Sequence, residues 1–399
     1  MKPIWQRPGP TDTMDPEVWR FLAGRDAGLD SIFLPYDISA TMAQAGVLAQ
    51  AGIITIAEER QIRAVLSDML KKARSGRLKV FLKDEDCHSL IESTLTKRLG
   101  ELGKKIQTGR SRNEQAVTMV RLYMKDHAGR LSSLASGVRK TLASLGNRHR
   151  GLQMPGYSHS QKAMPVSLKV YFGSFDDSLA DDLKLLRYII SIIDQSPAGS
   201  AAGFGLPFPW PADRAVRELK FARRQKNPVY CQASRIKFER MYIFGLEMLA
   251  ATANRLASDL VLFTMQEFGF FSLPERYTTG SSLMPNKRNY DVFELARAAR
   301  TSVSAAGIET GLYGHNMISG YHRDHQRSKE AVVRATEDTI SLFIMLSLVL
   351  PHLQVHKDAI SSAVTAPMQA TAKALELARQ GMPFREAYQT VKAGLAQAG

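Results

Sequence analysis

The placement of 17 prolines in this 399-residue chain constrains its fold more than any other feature. None falls between Pro35 and Pro155, Pro165 and Pro197, Pro228 and Pro274, or Pro285 and Pro351. Proline lacks an amide donor and clashes with the preceding turn, so long helices are confined to such windows. From Asn113 to Leu145, the residues Val117, Val120, Leu131, Leu134, Val138, Leu142 and Leu145 recur mostly at threes and fours, the period of one helix face. Comparable patterns run from Val166 to Ile193, from Ser234 to Phe268, and from Asp291 to about Leu350, the last bent near Gly311, Gly314 and Gly320. No segment sustains the alternation of a half-buried strand, and no βαβ rhythm with glycine-rich phosphate loops occurs. The expected fold class is mainly α, a bundle of four or five long helices whose apolar stripes favour oligomers.

Three regions are expected: an N-terminal helical domain over 1–110, a central long-helix domain over 111–355, and a short helical domain over 356–399. The last reads as a helix from about Met368 to Gln380, a glycine stop at Gly381, and a helix from Phe384. The longest apolar stretches fall below the roughly 18 to 20 residues that span a bilayer, so no membrane segment is expected. Prolines in MKPIWQRPGP argue against a secretory leader, and two cysteines, Cys87 and Cys231, suit a reducing cytoplasm. The formal charge of +15 permits nucleic-acid binding, but the richest cluster, Arg223 to Lys226, has no interleaved aromatics to stack bases; no nucleic-acid partner is expected.

Four groups carry chemistry. Gly280 to Asn289, GSSLMPNKRN, joins a flexible glycine, the hydroxyls of Ser281 and Ser282, the cation Lys287 and the amide Asn289. Those residues suit proton transfer beside a carboxylate and stabilisation of the resulting charge. Thr108 to Gln115, TGRSRNEQ, opens the first long helix. Ser111 with Glu114 matches a capping box, while Arg112 and Asn113 beside free amides suit an anion. Met154 to Pro165 places His159 between serines, either as a surface residue or as a proton carrier charged by Glu294. Gly320 to Glu330 crowds Tyr321, His322, Arg323, Asp324, His325, Gln326 and Lys329 together; two histidines at i and i+3 without further ligands are too few for a metal. Neither metal nor cofactor is expected.

These segments resemble the fumarase and aspartase superfamily, whose signature loop is GSSxMPxKxN, and within it the argininosuccinate lyase family. SRNEQ at Ser111, MPGYSHSQ at Met154, EDCHSLIE at Glu85 and GYHRDHQRSKE at Gly320 are similar to that family's motifs, in its order. The YDI at Tyr36 and PFREAY at Pro383 extend the likeness toward both ends. The resemblance implies a homotetramer with a 20-helix core and active sites assembled from three subunits. It implies cofactor-free, reversible elimination of argininosuccinate to arginine and fumarate, in arginine biosynthesis or the urea cycle. Carried over by motif, Ser281 and His159, with Glu294, exchange the protons, and Lys287 and Asn289 stabilise an aci-carboxylate. Ser111, Arg112, Asn113, Ser158, Tyr321, Gln326 and Lys329 line the substrate site.

The chain departs from that pattern in several places. Ser158 stands for threonine, Gly24 is nearest to a substrate-contacting serine, and Gln44 stands where many members have histidine. Asn227 to Arg235 differs except at its Ser-Arg ending, and the C-terminal part is short. Two other readings follow: a lyase acting on another N-substituted aspartate, and a catalytically silent structural homologue.

Overall fold

A computed structural model describes residues 15–396. The proline-rich start from Met1 to Pro10 lies outside them. The chain divides into two compact units. The first comprises Met1–Arg130, Leu185–Glu247 and Ser302–Glu337; the second comprises Leu131–Lys184, Met248–Thr301 and Asp338–Gly399.

Long helices occupy the proline-free windows: Arg112–Arg148, Leu168–Ile193, Lys237–Phe263, Asp291–Tyr313 and Ser328–Val349. The first has 37 residues, about 55 Å at 1.5 Å per residue. Of its seven predicted apolar positions six are buried, and Leu134 is half-buried. The stretch expected as one bent helix from Asp291 to Leu350 is instead two, with residues 314–327 forming turns and a 3₁₀ segment between them. The first of the two stops at Tyr313, and Gly320, seven residues on, has φ +116, a conformation no α-helix contains. Conversely, Asp26–Gln50 runs straight through Pro35. The helix Ile56–Arg74 opens with a complete capping box, Thr55 Oγ1 accepting from Glu58 N at 3.2 Å and Glu58 Oε2 accepting from Thr55 N at 2.7 Å.

Among the described residues, strands are short and paired in twos. The longest pair was read from sequence only as a proline-rich connection: Gln153–Ser158 lies antiparallel to Gln161–Ser167. Its alternation is hidden by Pro155 and Pro165, which face each other, and by a bulge between Pro155 and Tyr157. Gly156 is required at that bulge, because a Cβ would lie 2.7 Å from Met164 O. In the C-terminal part, Ala370–Arg379 ends before Gly381 at φ +102, and Phe384–Ala396 follows.

In the second unit, Tyr171, Phe172, Phe175, Phe263, Phe270 and Phe271 form an aromatic core with ring centroids 5.0 to 6.4 Å apart. The first unit has an ionic centre as well as an apolar one. Asp37, fully buried, holds His88 Nδ1 at 2.7 Å and Arg110 Nη2 at 3.7 Å. Burial opposes the Asp37 charge, but His88 outweighs it and holds the carboxyl below its usual range; Asp37 in turn raises the His88 pKa against its burial. Removing one member of such a centre leaves an unpaired buried charge. Asp37→Ala is therefore expected to lower unfolding free energy by about 3–5 kcal/mol, measured by urea titration; a loss below about 1 kcal/mol would show that His88 and Arg110 find other partners.

Candidate active site

In the first unit a cavity of about 330 Å³ gathers Arg112, Asn113, Tyr321, Gln326 and Lys329, five of the residues expected from sequence. The start of the Arg112–Arg148 helix supplies two of them. Ser111 sits just before that start, its Oγ accepting from Asn113 N at 3.2 Å. The rest of the expected capping box does not form. Glu114 turns inward instead, and its Oε2 accepts from Ala201 N at 2.8 Å and Ser200 Oγ at 3.5 Å. The buried carboxyl thus pins the 199–201 loop to the helix start, and Asn113 Nδ2 donates to Ala202 O at 3.3 Å.

Most charge in the cavity wall is compensated. Arg112 Nη1 meets Glu85 at 3.0 Å and Asp86 at 3.1 Å, and its Nη2 donates to Ser89 Oγ. Lys329 Nζ meets Asp30 at 2.8 Å and Asp26 at 2.9 Å. Burial disfavours the Lys329 ammonium, but Asp30 and Asp26 prevail and raise its pKa. Gln326 Nε2 donates to Leu22 O at 2.8 Å, and Arg323 donates to the same carbonyl at 3.2 Å. Asp26, Asp30, Glu85, Asp86, His88, Arg235 and Arg323 also line this cavity; sequence reasoning singled out Arg323 within its charged run and gave the others no role. One signal was present, a lone Asp30 in the apolar run AGLDSIFL; another was the Ser-Arg ending at Arg235.

Three places where the chain departs from the expected pattern have structural duties. Gln44 is buried and its Nε2 donates to Thr108 O at 2.9 Å, steadying the approach to the helix start. Asn227 caps the helix Pro228–Ala233 by accepting from Tyr230 N at 3.0 Å. Gly24 closes the helix Pro16–Ala23, its N–H donating to Arg20 O at 2.9 Å, and lines an adjoining cavity of about 570 Å³ that shares Asp26, Arg323 and Gln326 with the first.

The other expected residues belong to the second unit. His159 stands at the tip of the 153–167 hairpin, exposed, with φ +51, and Ser160 follows at φ +58. Two successive left-handed non-glycine residues make a tight two-residue turn at a cost of about 1–2 kcal/mol each. Ser158 and Gln161 flank that turn as a register pair. Gly280 to Asn289 forms its own small hairpin, with Thr279 opposite Asn289 and Gly280 opposite Arg288. Asn289 Nδ2 donates back to Gly280 O at 3.2 Å. Inside the loop, Ser281 Oγ accepts from Leu283 N at 3.2 Å and Met284 N at 3.0 Å. Two amides aimed at one hydroxyl oxygen favour its anionic form. Lys287 is exposed and has no side-chain partner among the described residues. Glu294 is exposed on the first turn of Asp291–Tyr313, and among the described residues no hydrogen bond joins it to His159.

Asp37, Cys87 and His88 bring three ligand-type atoms within 4.8 Å of one another. Their chemistry fits an ion pair better than a metal: His88 is engaged by Asp37, Arg110 shares that carboxylate, and burial pushes the Cys87 thiol well up, away from the thiolate a metal takes. His325 is buried and its pKa is pushed down to about 4, by desolvation first and Arg235 second.

Similarity to known proteins follows the same lines. The family model described as lyase matches residues 26–304. The argininosuccinate lyase of Thermotoga neapolitana is 37% identical over 379 residues, 95% of each chain. That of Xanthomonas euvesicatoria pv. vesicatoria is 39% identical over 396 residues, 99% of this chain and 91% of its own. A crystal structure of EDDS lyase in complex with formate shares the fold with a TM-score of 0.80 at 24% identity, covering 97% of this chain and 77% of that one. Long helices carrying a charged cavity and a glycine–serine loop thus define a lyase of the fumarase and aspartase type. Within that class the chain belongs to the argininosuccinate lyase family.

Glu114 gives this site a pH-dependent support. Burial raises its pKa from 4.5 to about 7, against Arg110 and the Ala201 amide. The unfolded side chain ionises near 4.5, so the stability it contributes is complete below that pH and is lost as pH rises through about 7. Glu114→Gln, which keeps the neutral form, is expected to gain melting temperature relative to wild type as pH goes from 5 to 8. A difference between the two proteins that stays constant across that range would contradict the raised pKa.

Proposed function

We propose that the chain is a carbon–nitrogen lyase that reversibly eliminates fumarate from argininosuccinate, leaving arginine, in the cytoplasm. The observation that carries this reading is near full-length identity of 37 and 39% to argininosuccinate lyases. The two amides on Ser281 Oγ support its role as base. In this reading the Ser281 alkoxide removes a proton from the carbon beside a carboxylate, and the electron pair moves into an aci-carboxylate. Lys287 and Asn289 hold that dianion. The pair then returns to form the double bond, the carbon–nitrogen bond breaks, and His159, charged with Glu294, protonates the leaving nitrogen. Ser111, Arg112, Asn113, Ser158, Tyr321, Gln326 and Lys329 position the substrate.

Catalysis in this form needs more than one copy of the chain. Apolar side chains left on the long helices support a homotetramer: Phe244, Leu295, Ile308, Leu312 and Leu348 are 47 to 71% exposed. Shared sites would then complete the exposed Gly280 to Asn289 loop. The test is fumarate absorbance on adding argininosuccinate to purified protein. Ser281→Ala is expected to retain the melting temperature, since its loop is exposed, and to lose about 10²–10⁴-fold in turnover. Undiminished turnover would remove Ser281 from the mechanism. Fumarate released only from another aspartate adduct would move the substrate, and silence on all adducts would favour a structural homologue.

A further inference from the structure

Arg235 differs from the paired cations around the first unit's cavity in being buried with no carboxylate at ion-pair distance among the described residues. Arg112 and Lys329 each meet two carboxylates, and Arg323 is exposed to water. Arg235 is only 6% exposed, yet no carboxylate lies within ion-pair distance of it among the described residues. Its Nη2 reaches His325 O at a long 3.4 Å, and its Nη1 is buried without any partner. The face of Tyr321 lies 5.4 Å from its guanidinium carbon. Glu239 is its nearest electrostatic partner but makes no ion pair with it: no Glu239 oxygen comes within ion-pair distance, its Oε2 is itself unpartnered, and burial opposes its charge. A buried guanidinium left in this state costs several kcal/mol unless an anion completes it.

We propose that Arg235 binds the α-carboxylate of the amino-acid half of the substrate, with Tyr321 as its backing. This rests on the proposed argininosuccinate reading. There Lys287 and Asn289 hold the aci-carboxylate, which leaves the second succinate carboxylate and the α-carboxylate of arginine; only the latter carries an α-ammonium beside it. Asp26 lines the same cavity with Oδ1 taken by Lys329, and its other oxygen suits the neighbouring α-ammonium. A cation and a carboxylate in one wall recognise a zwitterionic head rather than a bare anion. The other cations in the wall lack this freedom: Arg112 and Lys329 are already paired with carboxylates, and Arg323 is exposed and donates to Gln326 Oε1 and Leu22 O. The local geometry also favours a planar, two-oxygen acceptor, because a guanidinium offers a fork of donors.

The experiment compares arginine with agmatine, which has the same guanidinium and chain but no carboxylate, as inhibitors of fumarate release and as ligands in calorimetry. Wild type is expected to bind arginine about 10–100-fold more tightly than agmatine. Arg235→Gln should lose that preference, weakening arginine while leaving agmatine within about two-fold. Arg235→Lys keeps the charge without the fork and should fall between them; it decides the matter if Arg235→Gln fails to fold. Equal weakening of both ligands, or arginine binding that ignores the substitutions, would overturn the proposal. If wild type releases fumarate from argininosuccinate but shows no arginine preference, this assignment alone fails. If it does neither, the substrate reading fails with it.

Discussion

A buried ammonium, Lys329, held between Asp30 and Asp26, is the interaction on which the first unit's cavity depends. Asp30 is 1% exposed and accepts twice, from Lys329 Nζ at 2.8 Å and from Cys87 N at 3.0 Å. One carboxylate therefore joins the Asp26–Gln50 helix to the starts of Cys87–Leu99 and Ser328–Val349. The Cys87 amide is otherwise an orphan of a helix N-terminus, and a negative charge there is favoured. Seven residues further along the same helix, Asp37 repeats the arrangement with His88 and Arg110. Ionic ties of this kind are poor sources of net stability but they fix one arrangement, because each slip exposes an uncompensated charge to a dry interior. A cavity wall built on them keeps its shape without apolar packing behind every residue.

Much of this fold was legible because proline and apolar period act locally. Five of the long helices lie in windows where no proline interrupts the hydrogen-bond ladder. The errors come from places where local signals compete. Gly311, Gly314 and Gly320 read as points of bending in one helix, whereas the chain between them leaves the helix altogether. Pro35 read as a limit, yet the helix passes through it, since a single lost donor is offset where Leu34, Asp37 and Ile38 are buried on the same stretch. The 153–167 hairpin was hidden because its prolines sit opposite one another in the ladder, where sequence alone shows only two breakers.

The site was legible to a different degree. Motif spacing named the residues proposed to face a substrate, because those lie in short runs. It missed their partners, because Asp30 and Lys329 are 299 positions apart and Arg235 reaches the His325 carbonyl across 90. Glu114 shows the same limit in miniature. Its spacing from Ser111 is that of a capping box, but a buried loop 87 residues away offers better donors than the helix's own first amide. Pairing over such distances is a property of the packed fold and leaves no period in the sequence.

The two groups proposed to move protons are held in opposite ways, and this bears on how a dianion is stabilised. His159 rides a turn with two left-handed residues, strained but tightly defined by the flanking strand pairs. Ser281 sits in a loop whose Leu283 is 85% exposed, and Lys287 beside it is open to water. A solvated lysine is worth little to an anion, about 1 kcal/mol at 4 Å in bulk water against about 4 kcal/mol where the effective dielectric falls to 20. The chemistry proposed for this loop therefore requires that water be driven from it. The exposed side chains of Leu283 and Met284, whose amides donate to Ser281 Oγ, are the kind of surface that another chain segment covers, and covering them strengthens Lys287 in the same step. Desolvation of the loop, and not the identity of its residues alone, then separates a catalytic assembly from a single folded copy.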